Sequence, residues 1–545
     1  MELSRYRSEG YLVDVDKDTV AKEMSHGTIS KLGLIIKEKP EGVKRRIILD
    51  LRRSGGNRKA VLPEKLVLPR PRDAVNMIRD NFNQRRACGA GEGYSRELVV
   101  VDVSDAFMTL AVHESELPHT LAPEVDGSNY YMFVALLFGF KTAPLLWSRI
   151  AALLSRLLQS LVQGSEAQHQ TYLDDGLWIL QGTLKERNGI LAMVITTLFA
   201  LGLKVSLKKG LRSNQVQWVG VRFKVTEDSI ILGLPEKLLQ ELMEVLRSWE
   251  RSGMAPIKEL RQVAGRTSWV SGIMPRTRWV VAVFYRVLHD RLNALASGKE
   301  EARRKDRADQ RRKEGLFHVS QLEQARNWLV KYLEVAMLKP TRRLKLDGTK
   351  YPKATLVTDA CPLGMGAILL INNRLVRAYS TKVTHRDARL LGFEASFEQA
   401  ASQGIVETLA VLLALKHWKK DLQACHVEIQ VQSDSMVALA TSRRLAASTP
   451  TLNFLGAELA LVCEEIGAEG LRTAHIPGTA NVAADWLSRP DKVAKEEMPG
   501  ELRGIPAHSD SNVRGPEFYH LAPPQLAPDL WRHSTAANSA WSCLQ

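Results

Sequence analysis

Two adjacent carboxylates stand in the stretch HQTYLDDGLWIL, residues 169 to 180, among apolar, strand-forming residues. Asp174 and Asp175 repel each other, and partial burial strengthens the repulsion. Asp-Asp-Gly is also ordinary hairpin-turn chemistry, so the pair acquires chemical meaning only with partners. One partner ends another run of apolar β-formers: ELVVVDVSDAF reaches Asp102, with Asp105 and Phe107 just beyond. Carboxylates converging from separate elements hold paired divalent cations for two-metal nucleotidyl transfer, and the cations cancel the repulsion. Four more acids stand apart from these. Asp359 closes the strand ATLVT before a Gly-rich hairpin, Glu407 opens the helix ETLAVLLALKHW, Asp434 ends VEIQVQS, and Asp485 sits in HIPGTANVAADWLSR. Singly they read as turns and caps: Asp434 suits an N-cap and Glu407 a helix N-terminus. Together they put a carboxylate at each junction of a strand–helix–strand–helix series.

The elements that must position these acids follow from pattern. Residues 31 to 230 alternate β-rich runs (KLGLIIKEK, RRIILDL, ELVVVDVS, QWVGVRFKV) with helical stretches such as APLLWSRIAALLSRLLQSL, an α+β mixture. From Pro235 to Asp290 the spacing turns helical. Residues 299 to 313 hold eight basic and four acidic residues and no apolar face, as in a solvated helix or linker. A second domain opens with ATLVTDACPLGMGAILLI. Residues 490 to 545 hold seven of the 22 prolines, without periodicity, and read as a loose tail.

A chain of 545 residues implies several domains. Its net charge of +15, from 75 Lys+Arg against 60 Asp+Glu, favours a polyanionic partner such as nucleic acid. The five cysteines are scattered, odd in number and never in a CxxC pair, which speaks against a disulfide framework or zinc knuckle and for a reducing compartment. The longest apolar run, YYMFVALLFGF, is too short to span a bilayer, and the N-terminus lacks a signal-peptide core. An intracellular protein, cytoplasmic or nuclear and without a membrane partner, is expected.

DVSDAF, LLFGFKTAP, YLDD, LGLKVSLKKG and QWVG resemble, in order and rough spacing, the palm motifs of reverse transcriptases. The resemblance implies that Asp102, Asp174 and Asp175 are metal ligands, with the Val103 carbonyl completing one ion's shell. Phe107 falls at the family's steric gate, where a bulky ring excludes a 2′-hydroxyl and selects dNTPs; packing as ordinary core is the other reading. Gly139 allows close backbone approach in the loop that supports the incoming base, and Pro144 suits a first helical turn. Arg46 is the candidate triphosphate contact, with Lys37, Lys39 and Lys44 behind it. Lys208 or Lys209 takes the place of the family's proposed proton donor to pyrophosphate, or is a solvated lysine. ELRQVAGRTSWVSGIMPRTR resembles the thumb helix that tracks template–primer, with Gln262, Gly265, Arg266 and Trp269 on one face; core packing is the alternative for Trp269.

The second series resembles ribonuclease H in TDACPLGMGAIL, ETLAVLLALKHW, SDSMVALA and HIPGTANVAADWLSR. That implies two Mg²⁺ ions, replaceable by Mn²⁺, held by Asp359, Glu407, Asp434 and Asp485. His475 takes the place of a mobile histidine that helps product leave, and Asn481 that of a contact to the RNA strand. The interval between Asp359 and Glu407 is long for the family, so Glu394 or Glu398 stands as an alternative second ligand.

The resemblance runs over about residues 28 to 490. It implies an α+β multi-domain enzyme, a right-hand polymerase followed by an α/β ribonuclease H-like domain. Expected boundaries are an N-terminal extension to 27, fingers and palm at 28–230, thumb at 231–295, basic connection at 296–350, ribonuclease H at 351–490 and a Pro-rich tail at 491–545. This order is that of LTR-type, pararetrovirus-like or DIRS-like retroelement enzymes. RNA template, DNA primer, RNA–DNA hybrid and dNTPs are the implied partners, with two Mg²⁺ per active site. The competing classes are a catalytically decayed nucleic-acid-binding relic and a host-adopted polymerase. Retention of all seven proposed acidic ligands weighs against decay.

Overall fold

The computed structural model describes residues 2–24, 26–39, 42–89, 95–124, 127–296, 315–338, 341–347, 352–384, 387–388, 391, 400–423, 429–489, 497–505, 507–509 and 518. The basic run at 299–313, Glu394 and Glu398 lie outside them. The chain forms two compact units, residues 1–230 and 231–545.

In the first unit, helix α1 (Glu2–Ser8) and strand β1 (Leu12–Val15) precede a long antiparallel hairpin, β2 (Leu32–Lys39) and β3 (Gly42–Leu49). Helix α2 (Pro71–Ala87), β4 (Ser95–Asp102), β5 (Tyr130–Phe133), α3 (Ala143–Ser160), β6 (Ala167–Tyr172), β7 (Asp175–Gly182), α4 (Leu184–Ala200) and β8 (Leu211–Ser213) follow. Strands β6, β7, β4 and β8 make an antiparallel sheet in that order. The runs LVVV of β4 and LWIL of β7 are buried on both faces, which explains their unbroken apolar character. Trp147 and Ala151 of α3 and Val194 of α4 pack with Val99 and Trp178 in one core. Thr183 and Glu186 cap α4 reciprocally, in a capping box. QWVGVRFKV, a single β-run by composition, is folded into β9 (Gln215–Trp218) and β10 (Val221–Val225). Val219 and Gly220 between them both have positive φ, 46° and 73°, as a tight two-residue hairpin turn requires.

The second unit begins with helices α5 (Glu236–Ser252), α6 (Ile257–Ile273) and α7 (Arg278–Ala296). Trp249 of α5, fully buried, donates its indole N–H to Glu259 of α6 at 2.9 Å. A six-stranded sheet follows, built from β11 (Ala354–Ala360), β12 (Gly364–Ile371), β13 (Arg374–Lys382), β14 (Ile429–Ser433), β15 (Leu471–His475) and β16 (Ala507–Ser509), in the order β15-β14-β11-β12-β13-β16. Strands β15, β14 and β11 run parallel, β12 and β13 antiparallel, and β16 parallel to β13. Around them lie α8 (Ala400–His417), α9 (Met436–Arg444), α10 (Pro450–Ile466) and α11 (Val482–Ser488). Asn453 of α10, buried, donates to the Trp279 carbonyl of α7 at 3.0 Å. Arg342 bridges the carbonyls of Ile273 and Glu469 at 3.1 and 2.7 Å. The helical part and the sheet are thus tied within one unit.

The segment expected as a loose tail contributes β16 at the sheet edge and Leu502, 3% exposed, in the core with Leu487 and Ala484. A three-residue strand is too short to leave a periodic signature. Among the described residues no helix is long and apolar enough to cross a membrane.

Helix α11 lies against β12 because residue 366 is glycine: a Cβ there would come within 2.5 Å of the Ser488 nitrogen and 2.6 Å of the Ala484 carbonyl oxygen. Gly366→Ala should destabilise the second unit by about 1–3 kcal/mol through overpacking. It should also weaken hydrogen-exchange protection of residues 482–488. An unchanged melting temperature and unchanged protection would contradict this close approach.

Candidate active sites

Antiparallel pairing of β4 with β7 sets Asp102 directly opposite Asp175. Asp174 is the second of two turn residues between β6 and β7. The first, Leu173, has φ 54°, a left-handed backbone that costs a non-glycine residue about 1–3 kcal/mol. The Val103 N–H donates to the Asp174 carbonyl at 2.9 Å, and the buried Trp218 indole donates to the Asp175 carbonyl at 3.1 Å. The backbones of both aspartates are therefore fixed by neighbouring strands. Asp102 is 8% exposed and its carboxylate meets the Lys209 ammonium. Burial, with Asp102 adding to it, pushes Asp174 above the usual carboxylate range, while Lys209 and Arg46 pull it back. Burial first, then Asp174 and Asp102, push Asp175 up to about 6. Of the two candidate lysines, Lys209 reaches the acids; Lys208 is exposed.

Phe107 lies on a short 3-10 turn, Ala106–Thr109. It is half-buried against the Trp147 core and meets Phe138 edge-on at 5.4 Å. The Arg46 guanidinium lies over the Phe138 ring, 4.9 Å from its centroid. Gly139 has φ 117°, and a Cβ there would come 2.0 Å from the Leu49 carbonyl oxygen, so the close approach expected of it is made by β3. Asn57 holds this loop by donating to the Gly139 carbonyl (2.8 Å) and accepting from the Lys141 N–H (3.0 Å). The side chains of Lys37, Lys39 and Lys44 lie outside the described residues.

In the second unit, one carboxylate oxygen each of Asp359, Glu407 and Asp434 lies within 4.8 Å of the others. Asp359 stands near the end of β11, and Asp434 directly follows β14. Glu407 does not open its helix: α8 begins at Ala400, so Glu407 sits about two turns in, 4% exposed. Gln403, one turn earlier, donates to Glu407 Oε1 (3.0 Å) and to the Ala360 carbonyl (2.6 Å). Glu407 Oε2 is buried without a hydrogen-bond partner. Burial, then Asp359 and Asp434, push Glu407 up to about 8. Burial lifts Asp359 to about 6 although the Ser488 hydroxyl donates to it at 2.5 Å. The N-cap of α9 is Ser435, which leaves Asp434 uncommitted to capping.

Asp485 of α11 lies outside the three-carboxylate group and accepts from Arg489 Nε at 2.8 Å. Asn481, expected at an RNA strand, is 2% exposed. Its amide donates to the Thr358 carbonyl (3.1 Å) and to Asp359 Oδ1 (3.4 Å), so it orients Asp359 from within. His475 is exposed, paired in register with Ser433 beside Asp434. On α6, Gln262 and Gly265 are exposed, Trp269 is half-buried, and Arg266 pairs with Glu241 at 3.1 Å. A Cβ on Gly265 would meet open space, so no group of the described structure requires that glycine. Trp218, Gln403 and Ser488 are the positioning residues that sequence reasoning missed. Only Gln403 carries a local signal, four residues before Glu407 on one helix face.

The donors are all hard oxygens, Glu407 Oε2 is an orphaned buried acceptor, and burial together with mutual repulsion raises Asp359 and Glu407, a set that fits divalent cations. Without metal, the folded state keeps protons on Glu407 up to about pH 8, whereas the unfolded chain releases them near 4.5. Stability from this group is complete below the unfolded value and is lost as pH rises through the folded one. In EDTA, melting temperature should therefore fall between about pH 5 and 8. Glu407→Gln should flatten that fall, and millimolar Mg²⁺ should restore wild type at pH 8. Parallel pH profiles for wild type and variant would contradict the electrostatic account.

Residues 61–223 match the family described as reverse transcriptase (RNA-dependent DNA polymerase). No curated protein matches the chain. Among solved structures, a foamy viral protease-reverse transcriptase (dRH) in complex with double-stranded DNA is 15% identical, with TM-score 0.42 over 86% of this chain and 68% of that one. A foamy viral protease-reverse transcriptase with an RNA/DNA hybrid is 14% identical at TM-score 0.42, over 94% of this chain and 55% of that one. The chain thus spans about half the length of the latter. Asp102, Phe107, Gly139, Asp174, Asp175, Lys208 and Lys209 all fall inside the matched stretch, and residues 61–223 constitute a reverse transcriptase domain.

Proposed function

We propose that this chain is the replication enzyme of a retroelement, which copies RNA into DNA in its first unit and cleaves the RNA of the resulting hybrid in its second. The observation that carries the reading is the β4–β7 pairing, which brings Asp102 and Asp175 face to face, with Asp174 beside them, inside the reverse transcriptase domain. Two Mg²⁺ ions, when bound, would activate the primer 3′-hydroxyl and stabilise the leaving pyrophosphate. Asp102, Asp174, Asp175 and the Val103 carbonyl would hold them. Lys209, which meets Asp102, would serve as the proton donor to pyrophosphate. Arg46 contacts the triphosphate, and Phe107 presses on C2′ to exclude ribonucleotides. Gln262 and Gly265, both exposed, with the half-buried Trp269 beside them, form the helix face offered to the template–primer.

In the second unit Asp359, Glu407 and Asp434 form the cation-holding core, and Asp485 joins them by leaving Arg489. The reaction there is hydrolysis of the RNA strand, with His475 on the rim to assist product release. Template, primer, hybrid and dNTPs are the partners, and the +15 chain holds them through phosphate contacts that weaken as salt rises.

Separate sites give separable losses. Asp174→Asn or Asp175→Asn should reduce primer extension on poly(rA)/oligo(dT) to background while template–primer binding and hybrid cleavage persist. Asp434→Asn should do the reverse. A folded Asp434→Asn protein that had lost both activities would overturn the two-site reading.

Sugar choice is tested at Phe107. Phe107→Ala should raise the efficiency of ribonucleotide relative to deoxynucleotide incorporation by at least about tenfold, equivalent to about 1.4 kcal/mol of discrimination. Equal selectivity in wild type and variant would leave Phe107 as a packing residue.

A further inference from the structure

The turn that carries Phe107 begins at a strained residue. Asp105 has φ 51° and ψ 34°, the left-handed region, and its side chain makes no capping bond to its own turn. A non-glycine residue stays there only when its surroundings hold it. Its carboxylate instead reaches Arg5 of α1, 100 residues away in sequence. Arg5 Nη1 donates to Oδ2 at 2.7 Å and Nη2 to Oδ1 at 3.5 Å. This two-point fork fixes direction as well as distance.

The guanidinium is itself held in place. It lies over the Tyr6 ring, 4.9 Å from its centroid, and its Nε pairs with Glu2 at 3.3 Å. Tyr6, 2% exposed, shares a core with Met108 of the same turn. Phe107, between Asp105 and Met108, packs toward the other core, that of Trp147 and Val99. The turn is thus gripped at both ends from the N-terminal side, and the aromatic ring projects from between the grips. Strand β1 anchors the segment independently through its pairing with β5, Leu12 opposite Phe133. Arg5 is therefore not needed merely to keep α1 attached.

We infer that Arg5 is a specificity-determining positioning residue: its ion pair with Asp105 holds the turn so that Phe107 stays in the place where it excludes a 2′-hydroxyl. The inference rests on the reading of Phe107 as the sugar gate. A gate that works by volume depends on ring position, and a shift of about 1 Å is enough to change a rate by orders of magnitude. Releasing Asp105 lets the turn relax and the ring withdraw. Ribonucleotides then gain, while deoxynucleotides, which never meet the ring's edge, lose little.

The test uses the full chain and single-nucleotide extension on poly(rA)/oligo(dT), with kcat/KM measured for dTTP and UTP. Arg5→Ala should raise kcat/KM for UTP about tenfold and keep that for dTTP within about threefold, and Arg5→Lys should restore most of the discrimination. Asp105→Asn should match Arg5→Ala, and the double variant should add nothing, because both remove one interaction. A gain for the disfavoured substrate cannot come from partial unfolding, which lowers both efficiencies together. If Arg5→Ala lowers both efficiencies and the melting temperature, Arg5 is only structural and the inference falls. If Phe107→Ala relaxes selectivity and Arg5→Ala does not, the clamp alone is overturned. If Phe107→Ala leaves selectivity unchanged, the gate reading falls and the clamp with it.

Discussion

Like charge held close is the constraint around which both units are organised. Two unit charges 4.8 Å apart, the limit within which the oxygens of Asp359, Glu407 and Asp434 lie, repel by about 3–4 kcal/mol at an effective dielectric of about 20. No carboxylate side chain adopts such an arrangement unaided. Each is mounted on backbone fixed by something else: Asp102 and Asp175 by cross-strand register, Asp174 by the Val103 N–H, Asp359 by the parallel pairing of β11 with β14. The sheets hold the acids against their own repulsion.

The two units relieve that repulsion differently. In the first, basic side chains approach: Lys209 meets Asp102, and Arg46 acts on Asp174. In the second, Glu407 takes up a proton, and neutral donors (Gln403, Asn481, Ser488) bond the acids, while Arg489 engages Asp485 at the edge. Hence an incoming cation must displace an ammonium in the first unit and a proton in the second. The second exchange becomes easier as pH rises, and it leaves its donor network intact, because neutral amides and hydroxyls do not compete with a metal for charge.

What could be read from sequence follows from how local its cause is. Strands β4 and β7 were legible because burial on both faces leaves continuous apolar runs, and the acids at their ends stand out against them. Gly139 was legible as a close approach, though not the strand it approaches. The start of α8 was not: the apolar run TLAVLLAL stands out against the more polar SQGIVE just before it and gave the helix a false beginning. The hairpin inside QWVGVRFKV was missed because Val219 adopts a positive φ that a β-branched residue rarely accepts. Asn481, expected at an RNA strand, is buried instead and bonds Thr358 and Asp359, partners 123 and 122 residues away that no local pattern reveals. Strand β16 owes its place to pairing with β13 and leaves no local mark.

The side chains that complete both sites come from far along the chain. Asp105 is met by Arg5 from 100 residues upstream, Asp102 by Lys209 from 107 downstream, and Asp359 by Ser488 from 129 downstream. Sequence separation of this size means that the acids take up their final geometry only after the sheets have closed, since loop-closure entropy must be met before such contacts can contribute. Behind β4 the same holds: Glu97 is neutralised by Arg187 at 2.7 Å and Arg212 at 2.6 Å, one on α4 and one on β8. A chain lacking α1 would keep every proposed ligand and lose the Arg5 grip on the turn that carries Phe107, and one with Ser488→Ala would keep Asp359 and lose a donor that orients it. The unit of function here is therefore the closed sheet with its distal helices, and the short motifs that announce the chemistry are the part of it that happens to be contiguous.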